Sequence, residues 1–138
     1  MPATATFPLR DYNLAATLTS GQAFRWREID GNWENIIAGR WVRLHVKDKT
    51  LHAQTTEPQK DWQWLTDYLQ LEVNLKKILS QFPKNDPHLA AARKTCRGLR
   101  LLKQDPWETL AGFICSSNKR IVQIQQIIAD LCDRFGEP

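Results

Sequence analysis

Apolar and polar positions change rhythm halfway along this chain. From Gln22 to Arg27 they alternate. Phe24 and Trp26 fall on one side and Arg25 and Arg27 on the other, the period of a half-buried strand. Asp30-Gly31 follows as a hairpin signal, and Trp33 to Ile37 reads as the returning strand. Trp41 to Val46 alternates again, with Val42, Leu44 and Val46 on one face; Lys47 to Thr50 is a polar turn, and Leu51 to Thr55 a weaker strand. The pattern predicts a meander of about four antiparallel strands, with Tyr12 to Leu18 as a further edge strand.

Beyond residue 56 the period lengthens. Pro58 can open a helix in which Trp62, Leu65 and Leu69 share a face. Val73, Leu75, Ile78, Leu79 and Phe82 make a second short amphipathic piece. Asp86-Pro87 starts a third helix, with Asp capping and Pro at the first helical position, and Gly98 is placed to stop it. Asp105-Pro106-Trp107-Glu108 repeats the signal, and Glu108 is spaced to complete a capping box. That helix carries Leu110, Ala111, Phe113 and Ile114 and should stop near Ser116-Ser117-Asn118. Ile121, Ile124, Ile128, Leu131 and Phe135 then recur at three and four, a clear amphipathic helix. Strands first and helices second predict an α+β fold. The expected division is a sheet domain with helices over 1–83 and the start of a helical domain over 84–138.

Charge sharpens this picture. The 138 residues carry a net +4, but residues 84–103 alone hold +5, against +1 before them and −2 after them. Such a tract is either a solvated helix face or an attractor for a polyanion. Three cysteines without a C-x-x-C spacing argue against a disulfide framework or a zinc module and fit a reducing compartment. No His, Cys or Asp set has ligand spacing, so no metal or other cofactor is expected. Cys115 reads as an inert, buried thiol. No apolar run approaches the ~20 residues of a membrane span, and Met1 to Pro8 lacks the pattern of a signal peptide. The expectation is a soluble, intracellular protein.

Two short motifs admit a second reading beside a structural one. Ser20-Gly21-Gln22 is a turn, or a place where a backbone carbonyl can touch a planar ligand because no Cβ intervenes. At the junction of the last two helices, Asn118 is spaced to cap the following helix. With Lys119 and Arg120 it also makes an anion site suited to phosphate, and Asn118 can hydrogen-bond a base edge.

Three stretches carry a resemblance: Leu18-Thr19-Ser20-Gly21-Gln22-Ala23-Phe24-Arg25-Trp26-Arg27, then Arg100-Leu101-Leu102-Lys103-Gln104-Asp105-Pro106, then Phe113-Ile114-Cys115-Ser116-Ser117-Asn118. In order and separation, Leu69-Gln70-Leu71 included, the chain closely resembles the N-terminal half of 8-oxoguanine DNA glycosylases over roughly residues 10–136. The resemblance implies an antiparallel sheet with helices, similar to one repeat of the TATA-box-binding protein, leading into the first helices of a helix-hairpin-helix domain. It implies base-excision repair by glycosylase and lyase chemistry on a base flipped out of the duplex. The partner it implies is double-stranded DNA containing oxidised guanine. Gly21 matches the glycine whose carbonyl meets the N7–H of the oxidised base, and Asn118 the asparagine that contacts the orphaned cytosine. Lys119 and Arg120 replace asparagines of the animal enzymes, and Gln123 stands where those carry a cytosine-reading arginine. This puts opposite-base selectivity in doubt.

The family's catalytic lysine and its assisting aspartate match nothing in this chain, so no catalytic residue is assigned. The first expectation is therefore an N-terminal part, inactive alone, whose partner is a C-terminal catalytic half. The alternatives are a free-standing DNA-binding module without catalysis, or a scaffold for a separate catalytic half. Self-association through the helix 121–135 is expected wherever its apolar stripe is uncovered. The implied location is the bacterial cytoplasm and nucleoid, or the eukaryotic nucleus.

Overall fold

A computed structural model describes residues 2–137. Strand β1 (Ala3–Pro8) leads to helix α1 (Leu14–Thr19), then strands β2 (Arg27–Ile29), β3 (Asn32–Ile37), β4 (Arg40–Lys47) and β5 (Thr50–Thr55). Helices α2 (Gln63–Leu69), α3 (Leu75–Leu79), α4 (Pro87–Thr95), α5 (Pro106–Cys115) and α6 (Ile121–Phe135) follow. The fold is α+β, as the pattern predicts. One antiparallel sheet has the order β1-β5-β4-β3-β2, so the meander is extended by the chain's first strand laid along β5.

Three two-residue hairpins set the register. Asp30-Gly31, Ala38-Gly39 and Asp48-Lys49 all have both residues at positive φ, the turn whose twist matches that of paired strands. In that register Val42 pairs with Thr55 and Leu44 with Ala53, and all four side chains point to the same face and are buried. Leu14 and Leu18 of α1 and Leu65, Tyr68 and Leu69 of α2 close over them, with Trp26, Ile37 and Leu51 completing the core. The opposite face keeps its polar residues: Glu34 pairs with Arg43 at 2.6 Å, and the His45 and His52 rings stack at 4.5 Å.

Four boundaries differ from the pattern. Tyr12 to Leu18 is not an edge strand. Asn13 Oδ1 accepts the Ala16 N–H at 3.0 Å, and Leu14, Thr17 and Leu18 are buried at helical spacing. The edge belongs to β1, where Ala5 and Phe7 face inward and Thr4 and Thr6 outward. Gln22 to Trp26 alternates without being a strand. The Gln22 side chain bonds the backbone of Arg100 and Leu102, the Gln22 carbonyl accepts from Gln104, and only Arg27–Ile29 pairs with β3. The α2 helix begins at Gln63 rather than at Pro58, with Asp61 Oδ1 accepting the Gln63 N–H at 3.1 Å, and α3 is trimmed to Leu75–Leu79.

Helices α4 and α5 start where expected. Asp86 accepts the N–H groups of His88 and Leu89, and Asp105 that of Glu108. The Glu108 carboxylate does not complete the box; it pairs with Arg25 at 3.5 Å.

Candidate functional site

The stretch from Ser20 to Gln22 leaves α1 and passes beside residues 100–104. Gly21 has φ +80 and is exposed, and a Cβ there would meet no atom within 4 Å. The positive φ, not crowding, is therefore what favours glycine. Gln22 fixes the loop from one side. Its amide Nε2 donates to the Arg100 carbonyl at 2.7 Å and to Ser20 Oγ at 2.8 Å, while Oε1 accepts the Leu102 N–H at 2.9 Å. Gln104 Nε2 then donates to the Gln22 carbonyl at 2.7 Å. The Gly21 carbonyl accepts no hydrogen bond among the described residues.

Arg100 anchors the segment that Gln22 grips. It is 5% exposed. Its guanidinium donates to the carbonyls of Val73, Arg10 and Asp11 at 2.5, 2.8 and 3.2 Å and lies over the Tyr12 ring. Its backbone N–H reaches Thr17 Oγ1 at 3.1 Å. A buried charge is tolerable when carbonyl dipoles surround it in this way. Burial lowers its pKa, with Tyr12 and Asp11 opposing. The guanidinium nonetheless stays charged at neutral pH, so Arg100 acts as a rivet rather than a DNA contact. Trp26 secures the far end of the loop, donating its indole N–H to Tyr68 Oη at 3.0 Å in the core. Burial pushes the Tyr68 phenol up to about 12.

The second motif lies between α5 and α6. Asn118 has φ +55 in the link and does not cap α6, contrary to the spacing argument. Arg120 takes the N-cap position, and the Gln123 side chain reaches back to accept the Arg120 N–H at 2.9 Å. This leaves the Asn118 side chain unengaged by the helix end. Asn118, Lys119, Arg120 and Gln123 are all exposed, and neither cation forms an ion pair among the described residues.

Helix α5 joins the two motifs. The Phe24 ring, two residues after Gln22, packs on Gly112, where an added Cβ would lie 3.5 Å from the ring, and Arg25 pairs with Glu108 one turn earlier. The end of α5 leads directly into Ser116-Ser117-Asn118. The Gly21 loop, through Phe24 and Arg25, and the Asn118 link, through the helix end, are thus both tied to α5.

Sequence reasoning left the roles of Gln22 and Arg100 unread. Gln22 opens an alternating stretch that reads as a strand, and no local pattern announces a hydrogen bond spanning 78 residues. Cys115 is half-buried, not buried. Among the described residues no group of three or more His, Cys, Asp or Glu could hold a metal ion, and no helix is long and apolar enough to cross a membrane.

A glycine loop carried by a five-stranded antiparallel sheet domain and braced on α5 places the chain in the α+β class. Residues 5–110 match the family model described as 8-oxoguanine DNA glycosylase, N-terminal domain. The chain belongs to the 8-oxoguanine DNA glycosylase family. It is 32% identical over 133 residues to the N-glycosylase/DNA lyase OGG1 of Arabidopsis thaliana, covering 88% of this chain and 36% of that protein. A Saccharomyces cerevisiae N-glycosylase/DNA lyase is 40% identical over 74 residues, 52% of this chain and 19% of that one. Among solved structures, MBOgg1 in complex with a low-affinity DNA ligand superposes with a TM-score of 0.88 at 35% identity, covering 98% of this chain and 47% of that one. The apo 8-oxoguanine glycosylase/lyase of Clostridium acetobutylicum has a TM-score of 0.85 at 24% identity, covering 97% and 47%, and supports the fold alone. The chain spans about half the length of these solved relatives and about a third of the Arabidopsis protein.

Proposed function

We propose that this chain contributes lesion recognition and DNA contact to an 8-oxoguanine DNA glycosylase and AP lyase of base-excision repair, acting where cellular DNA is. The observation that carries the reading is the exposed Gly21, whose carbonyl has no hydrogen-bond partner among the described residues and whose loop is held by Gln22 and Phe24. Oxidised guanine has a donor at N7 where guanine has an acceptor. A fixed carbonyl therefore attracts one and repels the other, a contrast of about a few kcal/mol. Lys119 and Arg120 hold backbone phosphate, and Asn118 meets the cytosine left behind by the flipped base. Gln123 braces this loop through its bond to Arg120. Residues 1–83 form the sheet domain, and 84–138 begin the helical one.

In this reading the 138 residues are silent in catalysis, because none of their lysines takes the place of the family's Schiff-base amine. The catalytic partner is a C-terminal half that packs on α5 and α6. The support is the apolar surface there: Trp107, Phe113 and Val122 are each more than 70% exposed.

Borohydride trapping on a duplex containing 8-oxoguanine opposite cytosine tests the first point. No covalent adduct is expected; an adduct would place the lyase amine within this chain. Binding titrations test the second. Weak, salt-sensitive binding is expected, and Lys119→Ala with Arg120→Ala should flatten the salt dependence by about two phosphate contacts. Complete absence of DNA binding would favour the scaffold reading instead.

A further inference from the structure

The basic tract is not absorbed by this site. Of its six cations, Arg100 is buried as a rivet and Lys103 lies 3.8 Å from Asp67. The other four, Lys84, Arg93, Lys94 and Arg97, line one cleft of about 490 Å³ between α3 and α4, and Lys76 joins them from α3. Asp11 is the one carboxylate in the lining, and Arg97 already engages it at 3.4 Å. The lining therefore carries a strong positive excess, and Lys76, Lys84, Arg93 and Lys94 form no ion pair among the described residues.

The cleft is not purely polar. Leu75, Leu79 and Phe82 line it as well, and Phe82 is 41% exposed. It also stands apart from the glycine loop. Asp11 precedes α1 and Gly21 follows it, so the two sites lie at opposite ends of that six-residue helix, about 9 Å of helical rise.

We infer that this cleft docks an acidic peptide segment of a partner protein, with apolar side chains seated on Leu79 and Phe82 and carboxylates on the surrounding cations. Charge complementarity selects an anion, and the apolar lining selects among anions. A rigid duplex is a convex rod that would meet the cations at the rim and leave Phe82 wet. A flexible chain with a leucine or phenylalanine between its carboxylates covers both, and a cleft of this size holds a few side chains. The inference does not depend on what Gly21 recognises.

The test is fluorescence anisotropy with a labelled acidic peptide bearing Leu and Phe one helical turn apart, added to the whole 138-residue chain. Saturable binding that weakens with salt is expected. Reversing Arg93 and Lys94 to Glu should weaken it at least about tenfold. Phe82→Ser should weaken it roughly three- to tenfold. All three residues are exposed, and circular dichroism of each variant checks that it folds. Gly21→Ala and Asn118→Ala should leave peptide affinity unchanged, so this inference and the proposed function fail separately. Absence of saturable binding would overturn the inference. So would equal binding of polyglutamate, an unchanged affinity in Phe82→Ser, or displacement of the peptide by lesion-free duplex DNA, which would make the cleft a nucleic-acid surface.

Discussion

At the scale of single residues, Gln22 and Gly21 divide the work of one loop. Gln22 supplies rigidity. Gln22→Ala removes partners from the Leu102 N–H and the Arg100 carbonyl and should cost about 2–3 kcal/mol in urea denaturation. Gly21 supplies conformation. Gly21→Ala places a Cβ in open space at φ +80, so the cost is one strained backbone, about 1 kcal/mol. Tyr68 gives a pH signature. Its folded phenol ionises near 12 against 10.0 in its ordinary state. The native chain therefore binds more protons than the unfolded chain between about pH 10 and pH 12. That contribution is fully present below pH 10 and fades as pH rises to 12, an effect of order 2–3 kcal/mol. Chemical denaturation at stepped alkaline pH should show the decline, and Tyr68→Phe should remove part of it, because burial raises the Tyr12 phenol as well. Sequence inspection found Gly21 because a glycine in a motif is conspicuous. It found no role for Arg100, because the carbonyls of Arg10, Asp11 and Val73 converge on it only in three dimensions.

At the scale of elements, what was legible was periodic or capped. Strands β3 to β5 and helices α4 to α6 follow from alternation, from three- and four-residue recurrence and from the Asp-Pro starts. The errors arose where tertiary bonds outrank local rhythm. Gln22 to Trp26 alternates because Phe24 turns to α5 and Trp26 to the core, not because a neighbouring strand is present. Strand β1 escaped notice because Ala3–Pro8 buries little beyond Ala5 and Phe7. The hairpins carry a prediction of their own. Asp48-Lys49 adopts the same positive-φ turn as Asp30-Gly31 but with a residue that resists it. Lys49→Gly should stabilise the protein by about 1 kcal/mol, read as a higher urea midpoint at unchanged slope.

At the scale of the molecule, the two ends of the chain differ in finish. The sheet half has a closed core in which Val42, Leu44, Leu51, Leu65 and Leu69 are wholly buried. The α5–α6 half buries Gly112 and Ile124 and exposes Phe113 at 75% and Phe135 at 80%. A surface of this kind drives association when nothing covers it. Sedimentation velocity should find concentration-dependent oligomers of the 138-residue chain, and Phe113→Ser with Val122→Ser should shift them toward monomer without lowering the melting temperature. The α6 stripe is legible from its spacing; the structure buries its Ile124, sets Ile128 beside Gly112 and leaves Ile121, Leu131 and Phe135 exposed.

The Gln22 clamp also dictates an order of events. Its bonds to Arg100, Leu102 and Gln104 close loops of 78, 80 and 82 residues. On a ribosome, the meander and α1 can condense while those partners are still inside the exit tunnel. The Gly21 loop then waits, tethered but unset, until residue 104 emerges. A pulse of hydrogen exchange during synthesis should therefore find β4 and β5 protected well before the Leu102 amide. The Gly21 loop is therefore the last part of its domain to become rigid.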